Sequence, residues 1–169
     1  MKLLVDRLSV TPSLHHFEVG SGWWRERVGG EDEILRGLVE PFTLEFSAHL
    51  MGSDLYLEGT LCGVIELECS RCLARYRHAL RDTFRIVLEP AGDRVPADPE
   101  GAAALARDGL CLGEDLESGW YRGSDLRLDD FCVEVIALAM PVQPLCRGDC
   151  AGLCSRCGID RNQGDCECG

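Results

Sequence analysis

Eight of the eleven cysteines in this 169-residue chain stand in close pairs: Cys69 with Cys72, Cys146 with Cys150, Cys154 with Cys157, and Cys166 with Cys168. Two cysteines with so few residues between them place both sulfurs on one side of a tight turn. Deprotonated sulfur at tetrahedral corners is what a structural zinc ion requires. One such pair carries little weight, but four pairs supply eight thiolates, the complement of two tetrahedral zinc ions.

Chain reach suggests how they divide. Cys154, Cys157, Cys166 and Cys168 can close on one ion within a single short loop. Cys146 and Cys150 are then left to meet Cys69 and Cys72. The alternative groups Cys146 and Cys150 with Cys154 and Cys157, leaving Cys166 and Cys168 for the first pair. Either way both shells are closed and structural, with no open position for a substrate or an activated water. Cys62, Cys111 and Cys132 have no near-neighbour cysteine and read as buried or unassigned thiols.

Disulfides are the rival use of paired cysteines. Lys2, Asp6 and Arg7 interrupt the stretch where a secretory signal would need an unbroken apolar run. No apolar run approaches the roughly 20 residues that span a bilayer. A cytoplasmic protein without a membrane segment is therefore expected, and in a reducing compartment such cysteines hold metal more often than they form bridges.

The formal net charge is −12. Each zinc bound by four thiolates adds about −2. A non-specific grip on nucleic acid needs Lys and Arg against phosphates, so the balance favours a basic protein partner over bare RNA. Acidic residues dominate from Glu89 to Glu134, and Glu114, Asp115 and Glu117 are the candidate partner-binding residues there. The counter-signal is a basic stripe of Arg71, Arg75, Arg77, Arg81 and Arg85 with His78, a candidate nucleic-acid contact or a solvated strand face.

Period-two patterning supplies the elements that position these residues. Phe42, Leu44, Phe46, Ala48 and Leu50 alternate with polar residues, as do Leu55, Leu57, Leu61, Ile65 and Leu67. This predicts two half-buried antiparallel strands turning at Gly52-Ser53-Asp54. The second runs into Cys69, and Tyr76, Leu80, Phe84, Ile86 and Leu88 predict a return strand, irregular in its middle, so the first cysteine pair falls at a tip of the sheet.

Residues 90–118, with Pro90, Gly92, Pro96, Pro99 and Gly101, read as a flexible acidic loop with a brief helical turn at Ala102–Ala106. A helix follows, capped at or just after Asp125, with Asp129 and Asp130 at its positive end and an apolar stripe of Phe131, Val135, Leu138 and Ala139 up to Pro141. Leu3, Val5 and Leu8 suggest an opening strand. Trp23-Trp24 is either a packed anchor or an exposed contact patch.

Catalytic signatures are missing. His15, His16, His49 and His78 are too scattered for a helical zinc motif, no phosphate-binding glycine loop occurs, and no Ser, His and Asp grouping declares itself. A thiol oxidoreductase needs a helix-borne, low-pKa cysteine, whereas these pairs lie in turns.

Several of these motifs form a recognisable set. Cys69-Ser-Arg-Cys72-Leu73 closes a strand, Glu134, Ile136 and Leu138 alternate in the late helix, and Leu145-Cys146 leads through Cys150, Gly152-Leu153-Cys154 and Cys157-Gly158 to Cys166 and Cys168. Over roughly residues 40–169 the chain resembles the YceD family of large ribosomal RNA subunit accumulation proteins. The resemblance implies bacterial or organellar cytoplasm and a part in large-subunit ribosomal RNA accumulation. It implies no catalytic step. The one departure is Ile159-Asp160-Arg161-Asn162, where relatives carry a more asparagine-rich turn.

The expected fold is α+β, a mainly antiparallel sheet with one late helix and a C-terminal zinc-bound knuckle. Residues 1–145 form the β-rich domain and 146–169 a cysteine-rich tail packed on it. The expected function is non-catalytic support of large-subunit assembly and 23S rRNA accumulation. It acts through a basic large-subunit ribosomal protein or, alternatively, by direct contact of the arginine stripe and knuckle with pre-rRNA.

Overall fold

The computed structural model describes residues 1–28, 38–113, 117–164, 166 and 168. Its centre is an antiparallel meander of β3 (Leu38–Met51), β4 (Asp54–Glu68) and β5 (Arg75–Pro90). β2 (Ser13–Val19) lies along the outer edge of β3. Beyond β5 come β7 (Ser118–Tyr121), which pairs with it in parallel, and β6 (Leu110–Leu112). The six-stranded order is β2-β3-β4-β5-β7-β6. A separate two-stranded ribbon joins β1 (Lys2–Leu4) to β8 (Asp125–Arg127).

Alternation decides which face is buried. Phe42, Leu44, Phe46 and Ala48 on β3 and Leu55, Leu57, Leu61, Ile65 and Leu67 on β4 are all buried. Gly59 and Gly63 complete the inward row of β4, where atoms of β3 take the space of a side chain. A Cβ at Gly63 would stand 2.1 Å from Phe42 Cδ1, and one at Gly59 would stand 2.4 Å from Phe46 Cβ. Over this face pack α1 (Ser21–Val28), through Trp24 against Phe42 at 5.4 Å, and α3 (Asp129–Ala139), through Phe131 against Phe84 at 5.7 Å. Leu3 and Leu126 of the ribbon, with Leu128 just after it, close the same core. Trp24 is thus a packed anchor.

Several expectations need correction. The described residues hold three α-helices rather than one late helix. The 90–118 stretch, expected as a flexible loop with a brief helical turn at Ala102–Ala106, contains a longer helix around that turn, α2 (Pro99–Asp108), and also β6. Its proline and glycine act as helix boundary signals. Asp98 caps the N-terminus by accepting the Gly101 N–H, Pro99 sits in the first turn where no N–H is needed, and Gly109 ends the helix at φ 77°. Asp125 belongs to β8, and α3 starts four residues later, at Asp129.

β5 is regular throughout. The apparent break arises because His78 and Asp82 occupy inward-parity positions among Tyr76, Leu80, Phe84 and Ile86. The opening strand is only three residues long and gives way to a 3-10 turn at Val5–Arg7. Among the described residues no helix is long and apolar enough to cross a membrane.

Candidate metal centres

The turn between β4 and β5 carries Cys69 and Cys72 at one end of the sheet, and the segment after α3 brings Cys146 and Cys150 to it. The four sulfurs lie within 4.8 Å of one another, with Cys69 to Cys150 at 3.8 Å and Cys72 to Cys146 at 3.7 Å. A second group, Cys154, Cys157, Cys166 and Cys168, meets the same limit, with Cys166 and Cys154 at 3.4 Å. Zn–S bonds of about 2.3 Å at tetrahedral angles put sulfurs about 3.8 Å apart, whereas a disulfide needs about 2.05 Å. All eleven cysteines are free. The donor chemistry and spacing fit a metal ion in each group, and the grouping follows the first of the two partitions weighed above.

Both CxxC turns have the same backbone design. In the first, the Cys69 N–H donates to Ala74 O at 2.9 Å and the Leu73 N–H to Cys69 O at 2.9 Å. In the second, the Cys154 N–H donates to Ile159 O at 2.8 Å and the Gly158 N–H to Cys154 O at 2.9 Å. The residue after the second cysteine takes a positive φ in each, 59° at Leu73 and 72° at Gly158. Glycine takes that conformation freely, whereas a leucine in the sequence gives no signal of it.

Hydrogen bonds dock the tail on the hairpin tip. Pro144 O accepts from the Ser70 N–H at 2.9 Å and the Ser70 hydroxyl at 2.8 Å. Arg71 O accepts from the Leu153 N–H at 3.0 Å, and the Arg71 guanidinium donates to Cys150 O at 3.1 Å. Gly152 (φ 70°) permits this approach, since a Cβ there would stand 3.0 Å from Arg71 O. In the sequence Asn162 is only part of the departing turn. In the fold it donates from Nδ2 to Cys150 Sγ at 3.4 Å, across from one group to the other.

The thiols within each group titrate unequally. The Cys69 thiol is held down at about 6, chiefly by a backbone hydrogen bond from Cys146, while burial and the neighbouring sulfurs push Cys146 up to about 12. Backbone N–H groups of Cys157 and Arg156 hold Cys154 at about 6. Crowded sulfurs that cannot all ionise alone are what a divalent cation neutralises, releasing protons as it binds.

The other cysteines lie elsewhere. Cys132 is fully buried on the inner face of α3, with its thiol pushed up to about 12 by burial. Cys111 packs beside Ala91 and Leu105, and Cys62 is half-buried on β4. Among the described residues no histidine joins either cysteine group. His15 stacks on Phe46 at 5.2 Å, His16 meets Glu45 at 3.2 Å, and His49 stacks on Tyr56 at 5.3 Å.

Strand geometry separates the basic stripe. Arg75, Arg77, Arg81 and Arg85 share the outer face of β5, while His78 has the opposite parity and Arg71 is engaged with Cys150. Across the ladder Arg75, Arg77 and Arg85 stand directly opposite Glu68, Glu66 and Glu58. Arg75 pairs with Glu66 at 3.4 Å, Arg85 with Glu58 at 3.4 Å, and Arg77 with Glu40. Glu117 is exposed beside β7, and its carbonyl accepts the Val87 N–H at 2.9 Å. Glu114 and Asp115 lie outside the described residues. At about 3.3 Å per residue, the run of β5 from Arg75 to Val87 separates Glu117 from the cysteine turn by about 40 Å.

Comparison with known proteins agrees with the placement of the motifs. Residues 57–169 match the family described as large ribosomal RNA subunit accumulation protein YceD. An uncharacterized protein of Mycobacterium leprae is 24% identical over 118 residues, covering 70% of this chain and 48% of the relative. Uncharacterized proteins of Mycobacterium bovis and Mycobacterium tuberculosis are each 26% identical over 120 residues, covering 69% of this chain and 49% of the relative. The chain thus spans about half the length of the curated relatives it matches. No solved structure matches it. The chain belongs to the YceD family of large ribosomal RNA subunit accumulation proteins.

Proposed function

We propose that this chain is a non-catalytic, zinc-stabilised factor that supports large ribosomal subunit assembly and 23S rRNA accumulation in the cytoplasm by binding a basic large-subunit ribosomal protein. Two zinc ions are assigned to the two four-cysteine groups. The first, held by Cys69, Cys72, Cys146 and Cys150, ties hairpin tip to tail; the second, held by Cys154, Cys157, Cys166 and Cys168, organises the tail. Four sulfurs per ion close the shell, so the metal supplies architecture and no chemistry.

The observation that carries the choice of partner is the pairing of β5 arginines with β4 glutamates. Phosphate binding needs net positive charge, and here Glu58, Glu66 and Glu68 face three of the four arginines on that strand within a chain of net charge −12. A basic protein finds complementary charge in the acidic half of the molecule, with Glu114, Asp115 and Glu117 as the assigned contacts.

Direct pre-rRNA binding is the second reading. It is favoured by Arg81, which has no ion-pair partner among the described residues, and by the family's description. The deciding experiment is capture of the protein from its own cells with and without nuclease. A basic ribosomal protein retained after digestion supports the protein-binding reading. Large-subunit precursor RNA whose associated proteins vanish on digestion overturns it in favour of RNA.

A further inference from the structure

We infer that Asn162 couples the two four-cysteine groups, so that filling the second raises the affinity of the first for its ion. The inference rests on the zinc assignment proposed above. Asn162 lies in the loop between Cys157 and Cys166, both members of the second group, yet its Nδ2 donates to Cys150 Sγ of the first at 3.4 Å. Its Oδ1 accepts from the Ala151 N–H at 2.8 Å and from Arg147 Nη2 at 2.8 Å, two residues that flank Cys150 in the chain segment beginning at Cys146. One side chain of the second loop therefore grips the ligand segment of the first.

The loop itself is built to present that side chain. The Asn162 N–H and Nδ2 both donate to Asp160 Oδ1, at 2.9 and 2.6 Å. The Arg161 N–H donates to Gly152 O at 3.0 Å, and Leu153 forms a β-bridge with Asp160. No cysteine of the first group lies in this loop, and among the described residues these contacts join it to the segment that carries Cys150. Holding its backbone in one conformation costs conformational entropy, which an ion in the second group offsets. An N–H on a thiolate withdraws charge from sulfur and fixes its orientation. Partners of this kind alter metal affinity by roughly 10–100-fold. Coupling of binding is reciprocal, so filling the first group also tightens the second.

The chemistry calls for an amide. A donor must face sulfur while an acceptor faces Ala151 and Arg147, and Asn supplies both at one branch point.

The test uses the full chain loaded with cadmium-113, whose resonances resolve two tetrathiolate sites, with a chelator in competition. The Cys154→Ser, Cys157→Ser variant assigns the resonances and empties the second group. The expected result is that this variant lowers first-group affinity by about tenfold or more in the wild-type background. Asn162→Ala should shift the first-group resonance, lower its affinity to a similar degree, and make it insensitive to emptying the second group. First-group affinity unchanged in Asn162→Ala, or an equal drop on emptying the second group in both backgrounds, overturns the coupling while leaving the zinc assignment intact. A wild-type chain that shows no tetrathiolate resonance overturns both.

Discussion

Leu73 and Gly158 occupy the same position in two copies of one turn, each directly after the second cysteine of a CxxC and each at positive φ, 59° and 72°. Only glycine adopts that conformation without a clash between Cβ and backbone, and an L-residue there costs roughly 1–2 kcal/mol. Leu73 is 56% exposed, so burial returns little of that cost. Leu73→Gly should therefore stabilise the metal-loaded protein. Part of the gain is offset by the greater freedom of glycine in the unfolded chain, leaving about 1 kcal/mol, or a rise in Tm of about 2–4 °C. Gly158→Leu should lower Tm. A thermal melt in which Leu73→Gly lowers Tm would show that the leucine side chain makes a stabilising contact that outweighs its strain.

Cys69 and Cys72 join the first group from a turn remote in sequence from its other two cysteines, Cys146 and Cys150. Cys69→Ser should reduce metal content from two ions to one, with the ion in the tail retained. The amides of Ser70 and Leu153, which donate to Pro144 O and Arg71 O across the hairpin–tail junction, should lose hydrogen-exchange protection. The core of β3 and β4 should keep its own. Metal analysis together with exchange on the full chain checks both. Loss of both ions in Cys69→Ser would mean that the two groups fill as a single unit.

The parts of this molecule that announce themselves in the sequence do so through short-range pattern. β4, and β3 from Phe42 onward, alternate inward and outward, with Gly59 and Gly63 filling the gaps in the inward row, while the register shifts between the two strands fall earlier, between Leu38 and Thr43. The cysteine grouping follows from the short loop between Cys157 and Cys166. What was hidden depends on partners far away in the chain. β1 is three residues long and becomes a strand only against Asp125–Arg127. Only the middle of α2 showed, as a brief turn, because Pro99 marks a helix start as readily as a break, and the Asp98 cap distinguishes the two. The arginines were visible, but their neutralisation by Glu58, Glu66 and Glu68 depends on the β4–β5 register, and Glu40 comes from a third strand. Asn162 looked like an ordinary turn residue because its contact with Cys150 crosses between two ligand sets.

Thiol titration gives a pH signature for the metal-free protein. Backbone N–H groups hold Cys154 at about 6, well below an ordinary thiol near 8.5, while burial and adjacent sulfurs hold Cys146 at about 12. At about pH 7, iodoacetamide should therefore label Cys154 far ahead of Cys146, since only thiolate reacts. The Cys154 rate should fall as pH drops through about 6. A group whose folded pKa is depressed contributes stability that is fully present above its unfolded value and is lost as pH falls through the folded one. Order in the metal-free knuckle should accordingly decline on acidification from about pH 8.5 down to about pH 6. Peptide mass spectrometry after timed alkylation reads the rates, and equal labelling of the two cysteines across this range would contradict the assignment.

The register of β4 against β5 makes the two functional readings separable. If the stripe bound RNA, Arg75 and Arg77 would contact phosphates. Replacing both with Ala would then weaken binding strongly and lower the log–log salt slope by about 1–2. Exposed ion pairs are worth about 0–1 kcal/mol each, so Glu66 and Glu40 do not lock these arginines in place. Their effect is to cancel the local charge that would draw phosphate in. Arg75→Ala with Arg77→Ala should therefore leave RNA affinity within about twofold and its salt slope unchanged. Glu66→Gln with Glu68→Gln should raise RNA affinity, because it exposes guanidinium charge that the native face conceals. Filter binding to large-subunit precursor RNA across a salt series measures both variants. The charge-reversed behaviour, in which removing arginines costs tenfold and removing glutamates gains nothing, is what a nucleic-acid-binding sheet would give.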